Sequence, residues 1–178
     1  MMKFFDLDII PPNESKRLES LYKYKILDTG HDQVFGNMAA LAATIFNTPI
    51  ALINFVDGNR VWTKADKRGQ AGAEVPRELS VCSLAILNDD TTIFEDASQA
   101  QCLLAHPFVT GAFGLRFYAA APILSKEGYK IGAFCVIDTR PRKFRGDEYK
   151  RLEWLASNVT RELERRIEEI ESYEKAQI

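Results

Sequence analysis

Three cysteines, Cys82, Cys102 and Cys135, and two histidines, His31 and His106, are the side chains from which nucleophilic, redox or metal chemistry could be built in this 178-residue chain. Ser80 reads as the cap of a short helix through Val81, Leu84, Ala85 and Leu87. That places Cys82 at the positive end of a helix dipole, where the thiolate is favoured, and Arg77, near in sequence, could add to the effect. On one reading Cys82 is a redox sensor or ligand contact. On the other it is a small buried core residue, as free cysteines often are. Cys102 and His106 stand four apart, the spacing of two ligands on one helix face. No second pair accompanies them and Pro107 follows directly, so the three or four ligands of a metal site are not assembled and no metal is expected. Cys135, mid-strand among apolar neighbours, reads as inert core, and His31 as a solvated turn residue.

Arg116 and Tyr118 are two apart on a strand and share a face. A buried arginine needs an anionic partner. Asp96 would supply one as a structural ion pair that pins the loop 97–114, and a ligand carboxylate or phosphate would supply one as a binding contact; both readings stay open. Asn54 is a polar interruption in a buried strand. Trp62 and Lys64 share a face of a hairpin, which a solvated strand face explains as well as a binding site does. No Ser/His/Asp arrangement, paired carboxylates or phosphate-binding glycine loop occurs, so no catalytic residue is named.

The elements that must position these residues are legible in outline. Residues 1–12 read as an irregular arm stopped by Pro11-Pro12. Asn13 is a plausible cap for a short helix with Leu18, Leu21 and Tyr22 on one face, and Leu27-Asp28-Thr29-Gly30 reads as a turn. Asp32 opens a clearer helix with Val34, Phe35, Met38, Leu41, Ala42, Ile45 and Phe46 at three–four spacing, ended by Asn47-Thr48-Pro49. Strands at 50–56 and 60–65 join through Asp57-Gly58 as a hairpin. Residues 69–76 read as a loop, 91–94 as a short strand, and 97–114 as mostly irregular with one helical turn near Leu103. Strands at 117–124 and 129–137 pair through Glu127-Gly128, a polar loop follows, and a last helix runs over 147–173. The strands 50–56, 117–124 and 129–137 are apolar on both faces, so both faces must be covered. The expected class is α+β, an antiparallel sheet with helices on one side and the segment 76–114 on the other.

Bulk composition narrows the function classes. Hydrophobic residues at 46% suffice for a core, and a formal net charge of −2 gives no basic field to recruit nucleic acid or anionic lipid. No apolar run approaches the roughly 18 residues of a membrane span. The start, Met1-Met2-Lys3-Phe4-Phe5-Asp6, lacks the apolar core of a secretory signal. Widely spaced cysteines in odd number argue for free thiols in a reducing compartment, so a cytoplasmic location is expected.

The last helix carries one thin stripe, Tyr149, Leu152, Ala156, Val159, Leu163, Ile167 and Ile170, close to a coiled-coil seam, with charge all round it beyond Ser157. Trp154 and Leu155 lie off the stripe and could pack on the domain. A stripe this thin needs a partner. It either folds back on its own domain or pairs with the same helix of a second chain; we favour the second, because the domain is expected to end near Asn158.

These elements resemble the GAF domain, in the bacterial subgroup found ahead of histidine kinases and diguanylate cyclases. The resemblance rests on Asn13-Glu14-Ser15-Lys16-Arg17-Leu18, Tyr24-Lys25-Ile26-Leu27-Asp28-Thr29, Pro49-Ile50-Ala51-Leu52-Ile53-Asn54-Phe55-Val56-Asp57 and Pro76-Arg77-Glu78-Leu79-Ser80-Val81-Cys82. It continues through Pro107-Phe108-Val109-Thr110-Gly111, Arg116-Phe117-Tyr118-Ala119-Ala120-Ala121-Pro122-Ile123 and Gly132-Ala133-Phe134-Cys135-Val136-Ile137-Asp138. It covers about residues 13–160, between the arm 1–12 and a helical extension 161–178. It implies a central antiparallel sheet with terminal helices on one face, a short-helix and loop pocket on the other, and dimerisation through the terminal helices. Two residues past Cys82 the subgroup often has a histidine; here Leu84 stands there, so the resemblance brings no haem or metal ligand. The asparagine-lysine-phenylalanine-aspartate-glutamate signature of cyclic-nucleotide-binding relatives has no clear match, which counts against cyclic GMP or AMP.

The expectation is a non-catalytic regulatory module in bacterial signal transduction, ligand-binding or redox-sensing, that signals through a dimeric helix bundle. Its ligand-binding candidates are Asn54, Cys82, Asp96, Phe108, Arg116 and Tyr118, with no cofactor identified. The alternatives are an enzyme like the free methionine-R-sulfoxide reductases, whose local cysteine motifs are not reproduced here, and a structural dimerisation module with a filled pocket. An output domain or protein is the expected partner, either in a longer chain of which this is a piece or as a separate molecule.

Overall fold

Alternation along the strands sorts side chains onto two apolar faces, and both faces are covered. The computed structural model describes residues 2–4 and 6–178. In chain order the elements are β1 (Lys3–Phe4), β2 (Leu7–Asp8), α1 (Glu14–Lys23), α2 (Gln33–Phe46), β3 (Ile50–Val56), β4 (Arg60–Asp66) and β5 (Glu74–Pro76). Then come α3 (Cys82–Ala85), β6 (Thr92–Phe94), α4 (Pro107–Thr110), β7 (Phe117–Leu124), β8 (Lys130–Asp138) and α5 (Gly146–Ala176). Strands β3 to β8 form one antiparallel sheet in the order β5-β4-β3-β8-β7-β6, and β1 pairs with β2 separately.

One face of the sheet presents Ile53 and Phe55 of β3, Phe117, Ala119 and Ala121 of β7, and Phe134 and Val136 of β8. Helices α1, α2 and α5 cover it with Leu21, Phe35, Ala42, Leu152, Leu155, Val159 and Leu163. The alternate residues, Tyr118, Ala120, Ala133 and Cys135, face a second core roofed by Val81, Leu84, Ala85, Leu103 and Val109. At β3–β8 the strands approach so closely at Gly132, opposite Phe55, that any Cβ there would collide with the Asn54 carbonyl.

Local chemistry explains the helix ends. Asp32 accepts from the backbone N–H of Val34 at 3.0 Å and of Phe35 at 3.2 Å, capping α2. Asn47 stops that helix in the left-handed conformation (φ 50°).

Several expectations need correction. The described part of the arm 1–12 is not wholly irregular: β1 pairs with β2, and Phe4 and, just after β2, Ile9, both fully buried, enter the second core. Two-residue strands are too short to show periodicity in sequence; Met1 and Phe5 lie outside the described residues. Asn13 precedes α1 but its side chain makes no capping bond. On α2, Val34 and Leu41 are exposed, because the buried stripe runs through Phe35, Gly36, Ala39 and Ala42 instead. Residues 74–76 add an edge strand to the segment read as loop, and 97–114 holds two 3-10 turns and α4. Trp62 and Lys64 are both buried, so their face is not solvated. A register shift between Ile53 and Asn54 skips Lys64, whose Nζ donates to Thr29 Oγ1 and Gly30 O at 2.8 Å and lies 3.8 Å from Asp32.

The last helix differs most. Its stripe from Leu152 to Leu163 is buried against its own sheet, with Ile167 packed beside it. The body therefore does not end near Asn158. Tyr24 donates to Glu164, and Arg166 pairs with Asp32 (Nη2 to Oδ1, 2.9 Å) while lying 4.5 Å from the Phe35 ring centroid. Leu155 is buried as expected, but Trp154 is 53% exposed, so it does not pack home.

Candidate functional site

Beneath the roof of the second core lies a cavity of about 230 Å³. Leu52 and Asn54 of β3, Tyr118 of β7, and Cys135 and Ile137 of β8 form its floor. These five point the same way because the strands alternate and lie in register: Leu52 opposes Cys135, and Tyr118 opposes Ile137. Val81, Cys82, Phe108, Phe113 and Leu115 close it from above, with Val75 and Ser80 at the side. Among the described residues no Asp, Glu, Lys, Arg or His lines it.

Its polar groups converge on one sulfur. Tyr118 OH donates to Cys82 Sγ at 3.0 Å, and Asn54 Nδ2 lies 3.4 Å from Cys82 Sγ and 3.8 Å from Cys135 Sγ. Thr63 donates to Asn54 Oδ1 at 2.7 Å, which fixes the amide with its NH₂ toward the two thiols. The thiol of Cys135 is the neighbour that acts most strongly on Cys82. These donors, Cys135 first, hold the Cys82 thiol below its ordinary value against the opposing effect of burial. Cys135 is pushed the other way by its bond to Cys82 and by burial. Burial, and then the two sulfurs, raise the Tyr118 hydroxyl.

Of the six residues named from sequence, Asn54, Cys82, Phe108 and Tyr118 line this cavity, and Asp96 and Arg116 do not. The Arg116–Asp96 pair is not formed. Arg116 precedes β7 and donates to the carbonyls of Val109 (3.1 Å) and Leu115 (2.7 Å), holding α4 in place. Asp96 caps a 3-10 turn through Ser98 N–H at 3.0 Å. Arg77 does not face Cys82 either: buried, it pairs with Glu14 of α1 and donates to Asp57 O at 3.1 Å and Ile9 O at 3.3 Å. Residues between an arginine and a cysteine in sequence do not fix which way each points.

His106 is a structural tie. Its Nδ1 accepts from Phe108 N–H at 3.0 Å, so its Nε2 carries the proton toward Leu79 O at 2.8 Å, and its ring stacks on Phe4 at 5.3 Å. Burial lowers its basicity. Among the described residues no group of three or more His, Cys, Asp or Glu could hold a metal ion, and no helix is long and apolar enough to cross a membrane.

The cavity residue that sequence reasoning set aside is Cys135. Its alternation with Ala133 and Ile137 marked a face, but only the pairing of β3 with β8 brings that face to Asn54. Ser80, Phe113 and Leu115 gave no signal beyond apolarity or a capping preference.

Comparison with known proteins agrees with this architecture. The family model described as "GAF domain" matches residues 30–163. A cyclic di-GMP phosphodiesterase of Pseudomonas aeruginosa is 37% identical over 132 residues, which is 74% of this chain and 22% of that protein. This chain therefore corresponds to about a fifth of its curated relative. Among solved structures, the GAF domain of an Acinetobacter phosphoenolpyruvate-protein phosphotransferase superposes with a TM-score of 0.60 at 12% identity, over 92% of this chain and 98% of that one. A free methionine-R-sulfoxide reductase from Neisseria meningitidis, solved with its substrate, gives a TM-score of 0.59 at 19% identity over 84% and 89% of the two chains. Both likenesses are of fold.

Proposed function

This chain belongs to the GAF domain family, and from that premise we propose that it is a regulatory module whose cavity takes a small uncharged ligand and whose helices α1 and α5 carry the response. The carrying observation is the cavity itself, apolar on nearly all sides, with a few fixed polar groups and, among the described residues, no carboxylate, ammonium, guanidinium or imidazole in its lining. A phosphate or carboxylate there would be desolvated with no cation to meet it.

A route to α1 is built in. The segment that begins at Arg77 ends in Cys82, and Glu14 of α1 bridges Arg77 and Arg17. A shift of the roof therefore pulls on the first helix.

The helix bundle is proposed to be dimeric, through a face other than the buried stripe. Leu41 of α2 and Trp154 of α5 are 45% and 53% exposed and line one surface depression, and Val34, about two turns earlier on α2, is 41% exposed. Apolar surface of this kind marks an association site. The bundle would act on an attached or separate signalling partner in the cytoplasm.

Native mass spectrometry of protein purified from its own cells tests both parts at once. A dimer carrying a neutral small molecule is expected. A monomer that arrives empty and shows no melting shift with any neutral compound would overturn the reading in favour of a filled, structural module.

The two thiols in the cavity favour one second reading, reduction of free methionine sulfoxide. That substrate is a zwitterion, and the lining offers it no charged group, so the expected result of a turnover assay is none.

A further inference from the structure

Two cysteines separated by 53 positions in sequence reach the same cavity, and one amide lies against both sulfurs, at 3.4 Å and 3.8 Å. Nothing in the regulatory reading requires a second thiol. The β8 position of Cys135 lies between Ala133 and Ile137 on the cavity face, where any apolar side chain of similar size would pack as well. We propose that Cys82 and Cys135 form a redox dithiol that an uncharged, ring-sized two-electron oxidant of the quinone class closes to a disulfide. This rests on the cavity being a ligand site, as proposed above, and names its ligand's chemistry.

Three observations converge on that class. An apolar cavity of about 150 Å³ accepts benzene, so one of about 230 Å³ takes a six-membered ring with small substituents. The lining excludes charge, and an uncharged ring has no desolvation penalty to recover. The thiols are buried, at 3% and 0% exposure, so only an oxidant that enters the cavity reaches them.

The reaction balances within the site. Cys82 attacks as the thiolate, helped by the Tyr118 and Asn54 donors, and adds to the ring. The Cys135 sulfur then attacks Cys82 Sγ. The S–S bond forms, the carbon–sulfur bond breaks, and its electron pair leaves with the ring. Two electrons and the two thiol protons pass to the quinone, which departs as the hydroquinone. The new bond ties α3, in the roof, directly to β8, in the floor.

The test uses the full chain carrying Cys102→Ser, which leaves the cavity pair as its only thiols. The probe is duroquinone, whose ring positions are all blocked by methyl groups, so that lasting adducts do not mimic oxidation. The protein is expected to lose two hydrogens by intact mass and both thiols to alkylation after unfolding, and dithiothreitol should restore them. Oxidised glutathione, charged and bulky, should act at least roughly tenfold more slowly, as expected of thiols it cannot reach. Adding Cys135→Ser should abolish the mass change while the protein still melts cooperatively. Retention of both thiols, or equal rates with the two oxidants, overturns the proposal. The Cys82→Ser, Cys102→Ser variant separates the two readings. If duroquinone raises its melting temperature while the dithiol parent never oxidises, the cavity still binds neutral rings and only the redox step fails. No shift and no oxidation removes the quinone and weakens the ligand reading with it.

Discussion

Replacing Glu14 by Gln should unfold this protein more readily than any other single isosteric change in α1. The carboxylate receives Arg17 Nε and Nη2, each at 2.8 Å, and Arg77 Nη2 at 3.1 Å, with Arg77 Nη1 on its other oxygen. Both arginines are buried, at 1% and 0% exposure, and Arg77 Nε has no hydrogen-bond partner among the described residues. Gln keeps the shape and removes the charge. Two buried guanidinium groups then lose the only carboxylate that pairs with them among the described residues, and breaking a buried pair costs about 3–5 kcal/mol. Glu14 is itself 17% exposed and partly screened by water, so the lower end, about 3 kcal/mol, is the working figure. Desolvation would raise its pKa, but the two arginines outweigh it and bring the value from 4.5 down to about 2. A depressed carboxylate contributes stability that is complete above pH 4.5 and lost as pH falls toward 2. Urea unfolding of wild type and E14Q at pH 6 and at pH 3 checks both statements. A gap of about 3 kcal/mol at pH 6 should shrink by more than half at pH 3. A gap under about 1 kcal/mol, or one that does not narrow on acidification, would refute the argument that this carboxylate holds the two arginines.

Asp32→Ala removes the cap of α2 and the partner of Arg166 and Lys64 together; a loss of about 2–3 kcal/mol in unfolding free energy is expected. Because its carboxyl is held down at about 2, chiefly by Arg166 against desolvation, the wild-type contribution should fade only below about pH 4 in the same titration. Tyr118→Phe takes a donor from Cys82, so the pH profile of iodoacetamide labelling at that thiol should move to higher pH, with a stability change near 1 kcal/mol. Trp154→Glu should convert the dimer proposed above to monomer in sedimentation velocity while leaving the melting temperature within a few degrees, since that side chain is more than half exposed.

Much of the fold could be read from residue pattern. The two-faced strands 50–56, 117–124 and 129–137 announced a sheet covered on both sides, and Asp32 and Asn47 marked the ends of α2 by chemistry that is local. What could not be read is what depends on pairing. The meeting of Cys135 with Asn54 follows from β3–β8 register, and the burial of Lys64 from a single skipped residue. Arg77 and Arg116 were legible as residues in need of partners, but a guanidinium can reach any carboxylate or carbonyl the fold brings near. The middle of the stripe on α5, Leu152 to Leu163, is legible in the spacing, but Leu155 joins it and Ile170 is exposed, and its destination is not legible, because a thin apolar seam looks the same whether it meets its own sheet or another helix.

Helix α5 is gripped at one level from two sides, by Tyr24 at Glu164 and by Asp32 at Arg166, the latter on the rim of the body. Beyond Ile167 it continues for nine residues to Ala176, about 14 Å at 1.5 Å per residue. Those two grips act as a fulcrum. A rotation of about 10° at the sheet swings the far end sideways by roughly 2 Å, enough to change which side chains mesh with a neighbour.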